Sequence, residues 1–301
     1  MPTVAVIHNP VAGRRGAERA LSAAVVHLEQ AGWTARPTPT QHVGHAAQLA
    51  AELANEVERI VVVGGDGTLR EVAQGILAVD GSCSIGLVPV GHGNVVAREL
   101  KIPLDPKGAS AVAAGSNTVR LDAMRVGGAT ALAMVGIGYD ALIVADVDRA
   151  RHGAVRKHWY AKHGDSLYAA AGIAALLSPK PRRFRMSVDG GAPETFAHGL
   201  VCNIATYAKD WAVIPDADPS DGQLDWHMRR AHGPIPSAVA LISAKRKRST
   251  PAWAARSGRG RRYLIEALGR PFVWQVDGDP QGESHRLEIE VVPSAVTLVA
   301  P

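Results

Sequence analysis

The chain has 301 residues, of which 47% are hydrophobic and 20% charged, with a formal net charge of +5 and an isoelectric point near 9.4. This composition is typical of a soluble globular protein long enough for two domains. No run approaches the roughly 18 apolar residues that a spanning helix needs, and the first residues lack the basic and apolar regions of a secretory signal. We therefore expect a cytoplasmic protein in which Cys83 and Cys202 are small buried residues.

Short apolar strands and helix-like stretches alternate over the first hundred residues. Strands are predicted at 3–7, 33–36, 59–63 and 84–88, and helices at 17–30, 44–56, 68–77 and 94–100. This order predicts an α/β fold with a doubly wound, mostly parallel sheet covered by helices on both faces. Three glycine loops follow strands, where such sheets bind ligands: NPVAGRRG (9–16), GGDGT (64–68) and GHGN (91–94).

The pattern changes after about residue 125, where strand-length apolar runs recur between turn residues. The clearest of these runs are 131–138, 199–205 and 287–292, and the clearest helix is 166–177. Alternation in LEIEV indicates antiparallel strands, so we predict a β-rich, β-sandwich-like second domain. The predicted domains are residues 1–124 and 125–294, and the last strand, 295–301, could rejoin the first domain.

The glycine loops indicate phosphate binding, because glycine lets backbone N–H groups approach an anion closely. The sequence contains neither the Gly-Lys-Ser/Thr of a Walker A loop nor the G-x-S-x-G of a serine hydrolase. GIGYDA (136–141) matches the dinucleotide pattern G-x-G-x-x-A, but it lies in the β-rich half without a clear acidic partner. Asp66 in GGDGT has two interpretations, a helix cap or a metal-binding carboxylate beside phosphates.

Six segments, taken in order, resemble the diacylglycerol kinase catalytic-domain family, which includes sphingosine and ceramide kinases and bacterial lipid kinases. They are NPVAG, VVVGGDGT, PVGHGNVVAREL, VGIGYDA, IPDADPSDGQLD and WQVDGDP, and they span nearly the whole chain. The resemblance implies a kinase of phospholipid metabolism that uses ATP and Mg²⁺ and phosphorylates a hydroxyl of a membrane lipid. The acceptor would be diacylglycerol or a sphingoid-type lipid.

The resemblance also implies roles for individual residues. Asp66 would hold Mg²⁺ near the phosphates, directly or through water. Further residues would surround the nucleotide: Asn9, Pro10, Gly13, Thr40, Gly64, Gly65, Gly67, Thr68, Glu71, His92 and Asn94. A second, structural Mg²⁺ or Ca²⁺ would be held by the Asp221 carboxylate with the carbonyls of Asp218 and Gln223, the alternative being a plain Asp-Gly turn.

The position of the general base departs from the family pattern. The family usually has the glutamate of Asp-Gly-Glu there, whereas this chain has Asp277-Gly278-Asp279. We predict Asp279 as the base, with a reach shorter by about 1.5 Å, and Asp277 and Glu283 as lesser candidates. His92 also replaces a small hydroxyl residue of the family. These departures leave two alternatives open, a soluble NAD-kinase-like small-molecule kinase and a catalytically weak nucleotide-binding regulator.

Residues 245–262 read KRKRSTPAWAARSGRGRR, with eight Lys/Arg and no acid. Such a cluster is a solvated loop, a nucleic-acid patch or a contact with anionic lipid. Because no nucleic-acid recognition module accompanies it, we expect no nucleic acid and instead peripheral contact with the inner membrane face. The apolar helix 166–177, with Trp159 and Tyr160 just before it, is either core or the lining of an acyl-chain cleft. A homodimer remains open.

Overall fold

The computed structural model describes residues 2–10, 16–152, 182–208, 211–230 and 234–301. Strands and helices alternate in the first half, as the apolar pattern predicts. The elements are β1 Thr3–His8, α1 Gly16–Gln30, β2 Thr34–Pro39, α2 His45–Leu53, β3 Arg59–Gly64, α3 Asp66–Ala78, β4 Ser84–Pro89, α4 Val95–Glu99 and α5 Pro106–Ala114. Helix α3 begins at Asp66, two residues before the predicted start, and α5 was not predicted.

The second half is rich in strands. Its elements are β5 Thr118–Val126, β6 Ala129–Ala131, β7 Met134–Ile137, α6 Tyr139–His152, β8 Phe184–Val188, β9 Glu194–Phe196, β10 His198–Cys202, β11 Thr206–Ala208, β12 Trp211–Ala212, β13 Leu224–Arg229, α7 Pro234–Lys245, β14 Arg256–Gly260, β15 Arg262–Ala267, β16 Phe272–Val276, β17 Asp279–Ser284 and β18 Arg286–Val299. The predicted helix 166–177, with Trp159 and Tyr160, lies outside the described residues.

A large sheet forms the centre of the described structure. Its main path runs β2-β1-β3-β4-β18-β15-β8-β9, and β5 and β6 branch from β18. The β2, β1, β3, β4 and β18 neighbours are parallel, whereas the pairs beyond β18 are antiparallel. The sheet therefore begins as the predicted parallel half of an α/β fold and continues into the β-rich half.

The second sheet is antiparallel and has the order β14-β13-β10-β7-β16-β17. Its strands come from the second half of the chain alone. A two-stranded hairpin of β11 and β12 lies apart from both sheets. The two sheets enclose a cluster of buried apolar side chains whose largest fully buried members are Phe184, Phe196, Tyr263 and Phe272. The antiparallel arrangement agrees with the predicted β-sandwich-like second half.

Strand β18 joins the segments 287–292 and 295–299, which the sequence analysis treated separately. Leu298 pairs with Ile85 of β4 in parallel, and Ile289 pairs with Tyr263 of β15 in the antiparallel direction. An irregularity between Val292 and Val296 shifts the register against β5. One strand therefore contributes to the sheet in both halves of the chain. The domain boundary near residue 124 stays a prediction.

Helices α2 and α3 cross closely at a glycine. A Cβ atom on Gly75 would lie nearer to the Ala47 carbonyl oxygen than the 3.0 Å that real Cβ atoms keep. The position therefore requires glycine, and the close crossing fixes α3, whose first residues form the second glycine loop.

Both cysteines are buried and free, and burial raises the pKa of the Cys83 thiol to about 11. Within the described ranges, each helix is too short or too polar to cross a membrane.

Candidate active site

The described parts of the predicted glycine loops lie at one edge of the large sheet. Strands β1, β3 and β4 run parallel, so the segments that follow them leave from the same edge. The Asn9 N–H donates to the Val63 carbonyl at 3.2 Å, and the Val90 N–H donates to the Gly64 carbonyl at 2.9 Å. These bonds tie the starts of the first and third loops to the strand that leads into the second.

The second and third loops touch through two glycines. A Cβ atom on Gly65 would lie 3.1 Å from the Gly91 Cα, and one on Gly91 would lie 2.7 Å from the Gly65 Cα. Glycine is therefore needed on both sides of the contact. A Cβ on Gly64 would also lie 2.7 Å from the Thr68 Cβ, so Thr68 packs back against the end of β3. The resulting bare backbone at the start of α3 suits the close approach of an anion.

Asp66, the first residue of α3, turns toward the third loop. Its Oδ1 atom accepts a hydrogen bond from the Val96 N–H at 3.4 Å, and a Cβ on Gly93 would lie 3.0 Å from its Oδ2. Burial, and then the nearby Asp277 carboxylate, raise the pKa of Asp66 to about 6. A cation would stabilise the ionised form of such a carboxylate, and carboxylate oxygens are ligands that Mg²⁺ prefers. The donor chemistry and the glycine cradle therefore fit Mg²⁺ with a nucleotide phosphate.

Asn94 ends the third loop and begins α4. Its backbone is left-handed, with φ of 49° and ψ of 45°, a conformation that asparagine adopts more readily than most residues. The side-chain Nδ2 donates to the Gly91 carbonyl at 2.9 Å, while Oδ1 is buried without a hydrogen-bond partner among the described residues. An unsatisfied buried acceptor costs about 1–3 kcal/mol. A bound molecule with a hydrogen-bond donor would satisfy it.

Asp279 reaches the first turn of α3 from the other sheet. Its Oδ2 atom accepts a hydrogen bond from Arg70 Nη2 at 2.6 Å, and a Cβ on Gly67 would lie 3.6 Å from the same oxygen. The fold therefore brings Asp279 beside the segment that starts with Asp66, although more than two hundred residues separate them in sequence. Arg70 was missed by the sequence analysis. Its position one helical turn after Asp66 is the one signal that could have indicated it.

The two lesser candidates for the base are engaged elsewhere. The Asp277 carboxylate accepts hydrogen bonds from the backbone N–H groups of residues 132–134 at 2.8–2.9 Å. Burial raises the pKa of Asp277, and these three bonds oppose the rise. Glu283 pairs with Arg182 at 2.5 Å on the surface. Asp277 thus anchors the turn before Asp279, and neither carboxylate competes with Asp279 for the position beside α3.

A chain of hydrogen bonds supports the same turn. The Gly278 N–H donates to Gln275 Oε1 at 2.7 Å, and Gln275 Nε2 donates to Asp140 Oδ2 at 2.7 Å. The Tyr207 hydroxyl donates to the other oxygen of Asp140. Burial raises the pKa of Asp140, and both donors oppose this by stabilising the carboxylate. The turn that presents Asp279 is therefore connected to hairpin β11–β12 through side chains that the sequence analysis did not single out.

Glu71 lies apart from this arrangement. Its Oε1 accepts from the Gly44 N–H at 2.9 Å and its Oε2 accepts from the Ala46 N–H at 3.2 Å. The carboxylate therefore satisfies backbone donors at the start of α2. Contact of Glu71 with the nucleotide stays a prediction.

The other predicted nucleotide residues have different surroundings. The Thr40 N–H donates to the His8 carbonyl at 2.9 Å, so Thr40 lies at the edge where β1 ends. Pro10 and His92 are exposed near that edge of the sheet. Gly13 lies outside the described residues.

At the predicted second ion site, the carboxylates of Asp221 and Asp218 contact neighbouring protein groups. Asp221 Oδ1 accepts from the Gln223 N–H at 2.9 Å, and its Oδ2 lies 3.6 Å from Arg259 Nη1. Asp218 Oδ1 accepts from the N–H and hydroxyl of Ser220. Over the described residues, no group of three or more His, Cys, Asp or Glu is arranged to hold a metal. These side chains do not by themselves fit a cation, and the second ion stays a prediction.

Family comparison accounts for both halves of the chain. The Diacylglycerol kinase catalytic domain matches residues 3–126, and the YegS C-terminal NAD kinase beta sandwich-like domain matches residues 133–300. The chain belongs to the diacylglycerol kinase family. The family and the fold class expected from the sequence are thereby confirmed, and this family member is a kinase by class.

Individual relatives agree with the family. A diacylglycerol kinase of Mycobacterium tuberculosis (strain ATCC 25618 / H37Rv) is 29% identical over 242 residues, which are 76% of this chain and 73% of the relative. A diacylglycerol kinase of Bacillus subtilis (strain 168) is 28% identical over 232 residues, which are 75% of this chain and 73% of that one. These relatives support a lipid kinase in general terms.

Solved structures support the fold. One from Bacillus anthracis str. Sterne superposes with a TM-score of 0.82 at 21% identity and covers 100% of this chain and 98% of its own. A diacylglycerol kinase from the same organism gives a TM-score of 0.74 at 18% identity and covers 100% and 97%. The arrangement of the two sheets in this family member is therefore similar to that of solved relatives.

Proposed function

We propose that this protein is an ATP-dependent lipid kinase that transfers the γ-phosphate to a hydroxyl of a membrane lipid, diacylglycerol or a sphingoid-type lipid. The observation that supports it is the meeting of Asp66 and Asp279 at the first turn of α3. Phosphoryl transfer needs a group that holds the metal and phosphates and a carboxylate that takes the acceptor proton. Two carboxylates from distant parts of the chain supply both at one helix end.

The proposed roles follow from the surroundings of each residue. Asp66 would hold Mg²⁺, which neutralises phosphate charge when bound. The bare backbone of Gly64, Gly65 and Gly67 and the start of α3 would orient the phosphates. Asn9 and Asn94 would complete the nucleotide site. ATP binding by these residues is supported by the family and by the unsatisfied Asn94 Oδ1 acceptor.

Asp279 would act as the general base. Its carboxylate takes the proton from the lipid hydroxyl as that oxygen attacks the γ-phosphorus. The bond between the γ-phosphorus and its bridging oxygen breaks, and ADP leaves with the electron pair. Arg70 would keep the Asp279 carboxylate oriented toward the start of α3, which compensates for the side chain being one methylene shorter than glutamate.

Phosphate transfer from γ-labelled ATP to lipids in mixed micelles tests the proposal. We expect wild type to label diacylglycerol or a sphingoid-type lipid and Asp66→Ala and Asp279→Ala to lose the label. The matched control is Asp80→Ala, since Asp80 is exposed just beyond α3. Labelling of NAD but of no lipid would replace the proposal with a soluble small-molecule kinase. ATP binding with no labelled acceptor would indicate a nucleotide-binding regulator.

We further propose that the protein works in the cytoplasm in peripheral contact with the anionic inner face of the membrane. A diacylglycerol or sphingoid-type acceptor resides in the bilayer, so the enzyme must come to it. The basic composition of residues 245–262 supports this placement.

A further inference from the structure

An apolar face of helix α7 is open to solvent. Ile235, Leu241 and Ile242 are 69%, 53% and 51% exposed, and Trp253, shortly after the helix, is 66% exposed. Single exposed apolar residues are ordinary, but a group of large ones on one short segment is not. On the rest of the described chain, exposed large apolar residues are scattered singly over separate elements.

The helix presents this face consistently. Residues 235, 238 and 242 recur at helical spacing and are exposed, together with residue 241, whereas Ala244 is buried. Helix α7 packs against β12 of the β11–β12 hairpin. An ordinary surface helix turns its apolar stripe to the core and its charged face to water. In α7 the large apolar residues are on the solvent side instead.

Positive charge borders the apolar face. Lys245, Arg246, Lys247 and Arg248 are consecutive and all exposed, and residues 234–262 contain no Asp or Glu. We call the three exposed α7 residues, these four cations and Trp253 the α7 surface. Apolar and aromatic residues beside a block of a single charge sign are typical of segments that lie in the interface of an anionic bilayer.

We propose that the α7 surface binds anionic phospholipid bilayers and that this contact brings the active site to the lipid acceptor. The inference deepens the proposed membrane contact by naming the surface that makes it, and its second half rests on the proposed lipid kinase activity. The large apolar side chains enter the interface, and the four cations lie at the level of the lipid phosphates. Lysine and arginine near such a surface each strengthen binding about fivefold, and the apolar residues add the affinity that makes the contact stable.

The hairpin under α7 leads to the active site. The Thr206 N–H of β11 donates to Glu99 Oε2 at 2.9 Å, and Glu99 ends the helix that Asn94 begins. Tyr207 of the same strand bonds to Asp140, which is linked through Gln275 to the turn before Asp279. One small hairpin therefore contacts α7 and is linked through Glu99 and Asp140 to the segments that carry Asn94 and Asp279.

Sedimentation of the 301-residue chain with vesicles tests the α7 surface without nucleotide. The vesicles are phosphatidylcholine alone or phosphatidylcholine with phosphatidylglycerol. The test variants are a quadruple Lys245→Gln, Arg246→Gln, Lys247→Gln, Arg248→Gln and a double Leu241→Ser, Ile242→Ser. The matched control removes four exposed cations of the first half: Arg19→Gln, Arg36→Gln, Lys101→Gln and Lys107→Gln.

We expect wild type and the control variant to bind phosphatidylglycerol vesicles, and the quadruple variant to lose roughly 600-fold in affinity, about fivefold for each of the four cations. The double variant should also bind weakly while keeping the wild-type unfolding midpoint. Equal binding by wild type and the quadruple variant, or equal binding of wild type to both kinds of vesicle, would overturn the inference. An equal loss in the control variant would also overturn it, since the effect would then be net charge alone.

Activity in detergent separates this inference from the proposed function. Mixed micelles deliver the lipid without a bilayer, so the α7 variants should keep kinase activity there while losing it on vesicles. Wild type that binds vesicles through α7 but phosphorylates no lipid in micelles would refute the lipid kinase and leave the docking surface standing. Variants equally active on vesicles and micelles would refute the docking surface and leave the kinase standing.

Discussion

Replacing Arg70 by alanine tests how Asp279 is held. Arg70 Nη2 lies 2.6 Å from Asp279 Oδ2, and the two side chains are 13% and 45% exposed. A hydrogen bond between charged groups contributes about 1.5–3 kcal/mol, but exposed ion pairs contribute roughly 0–1 kcal/mol. Because Asp279 is nearly half exposed, we expect Arg70→Ala to lower the free energy of unfolding by about 1 kcal/mol.

The effect on phosphate transfer should be larger than the effect on stability. A base released from its position by about 1 Å can cost on the order of 100-fold in rate. We therefore expect kcat to fall roughly 10- to 100-fold, with little change in KM for ATP. Arg70→Lys keeps the charge without the planar guanidinium, so its kcat should lie between those of wild type and Arg70→Ala. The assay is transfer from γ-labelled ATP to diacylglycerol in mixed micelles.

A double-mutant cycle shows whether Arg70 acts through Asp279. Asp279→Asn removes the base and should cost about 10²- to 10⁴-fold in kcat. If Arg70 only positions Asp279, Arg70→Ala costs nothing more in the Asp279→Asn background. Losses that multiply, or an Arg70→Ala enzyme with wild-type kcat, would refute the reasoning. Unfolding midpoints of all three variants exclude global instability as the cause.

Three further outcomes are expected. Gly75→Ala should cost about 1–3 kcal/mol or more in thermal unfolding, because the new Cβ would collide with α2, whereas Gly16→Ala meets nothing within 4 Å and should be near neutral. Burial lowers the pKa of His227 from its ordinary value of 6.5 to about 4. Between pH 6.5 and pH 4 the unfolded state therefore binds a proton at His227 that the folded state does not. In denaturant titrations the free energy of unfolding should fall by up to roughly 3 kcal/mol between pH 6.5 and pH 4. The fall should be smaller in His227→Gln. Tyr207→Phe leaves the buried Asp140 carboxylate short of a donor and should cost about 1–3 kcal/mol in the same titrations.

Local patterns in the sequence were sufficient for much of the fold. The alternation of apolar strands with helix-like stretches predicted the parallel half, because each element is specified by its own period of apolar residues. The glycine loops were also visible, since GGDGT and GHGN follow buried strands. Their mutual contact through Gly65 and Gly91 was not visible, because it depends on the spacing of neighbouring strands.

Contacts between distant residues were beyond sequence reasoning. Arg70 binds Asp279, and its neighbour Glu71 caps the start of α2. Nothing in the local sequence distinguishes these two roles, because Arg and Glu are both common on helix surfaces. Helix α6, which was not predicted, begins at Tyr139 inside GIGYDA, directly after the predicted strand 131–138, where the sequence analysis saw a nucleotide-like motif. Asp140 in that motif instead serves the buried hydrogen-bond chain. Polar residues with long-range partners look the same in sequence as polar residues that face water.

Strand β18 has a consequence for how the chain folds during synthesis. The parallel sheet of the first half ends at β4, and the neighbour of β4 is supplied by Leu298. Until that late residue leaves the ribosome, β4 presents an unpaired edge, and contacts so distant in sequence form slowly. A fragment that stops near residue 126 would keep this edge permanently and would be prone to associate through it. The sheet of the first half thus depends on a strand of the second half for its completion.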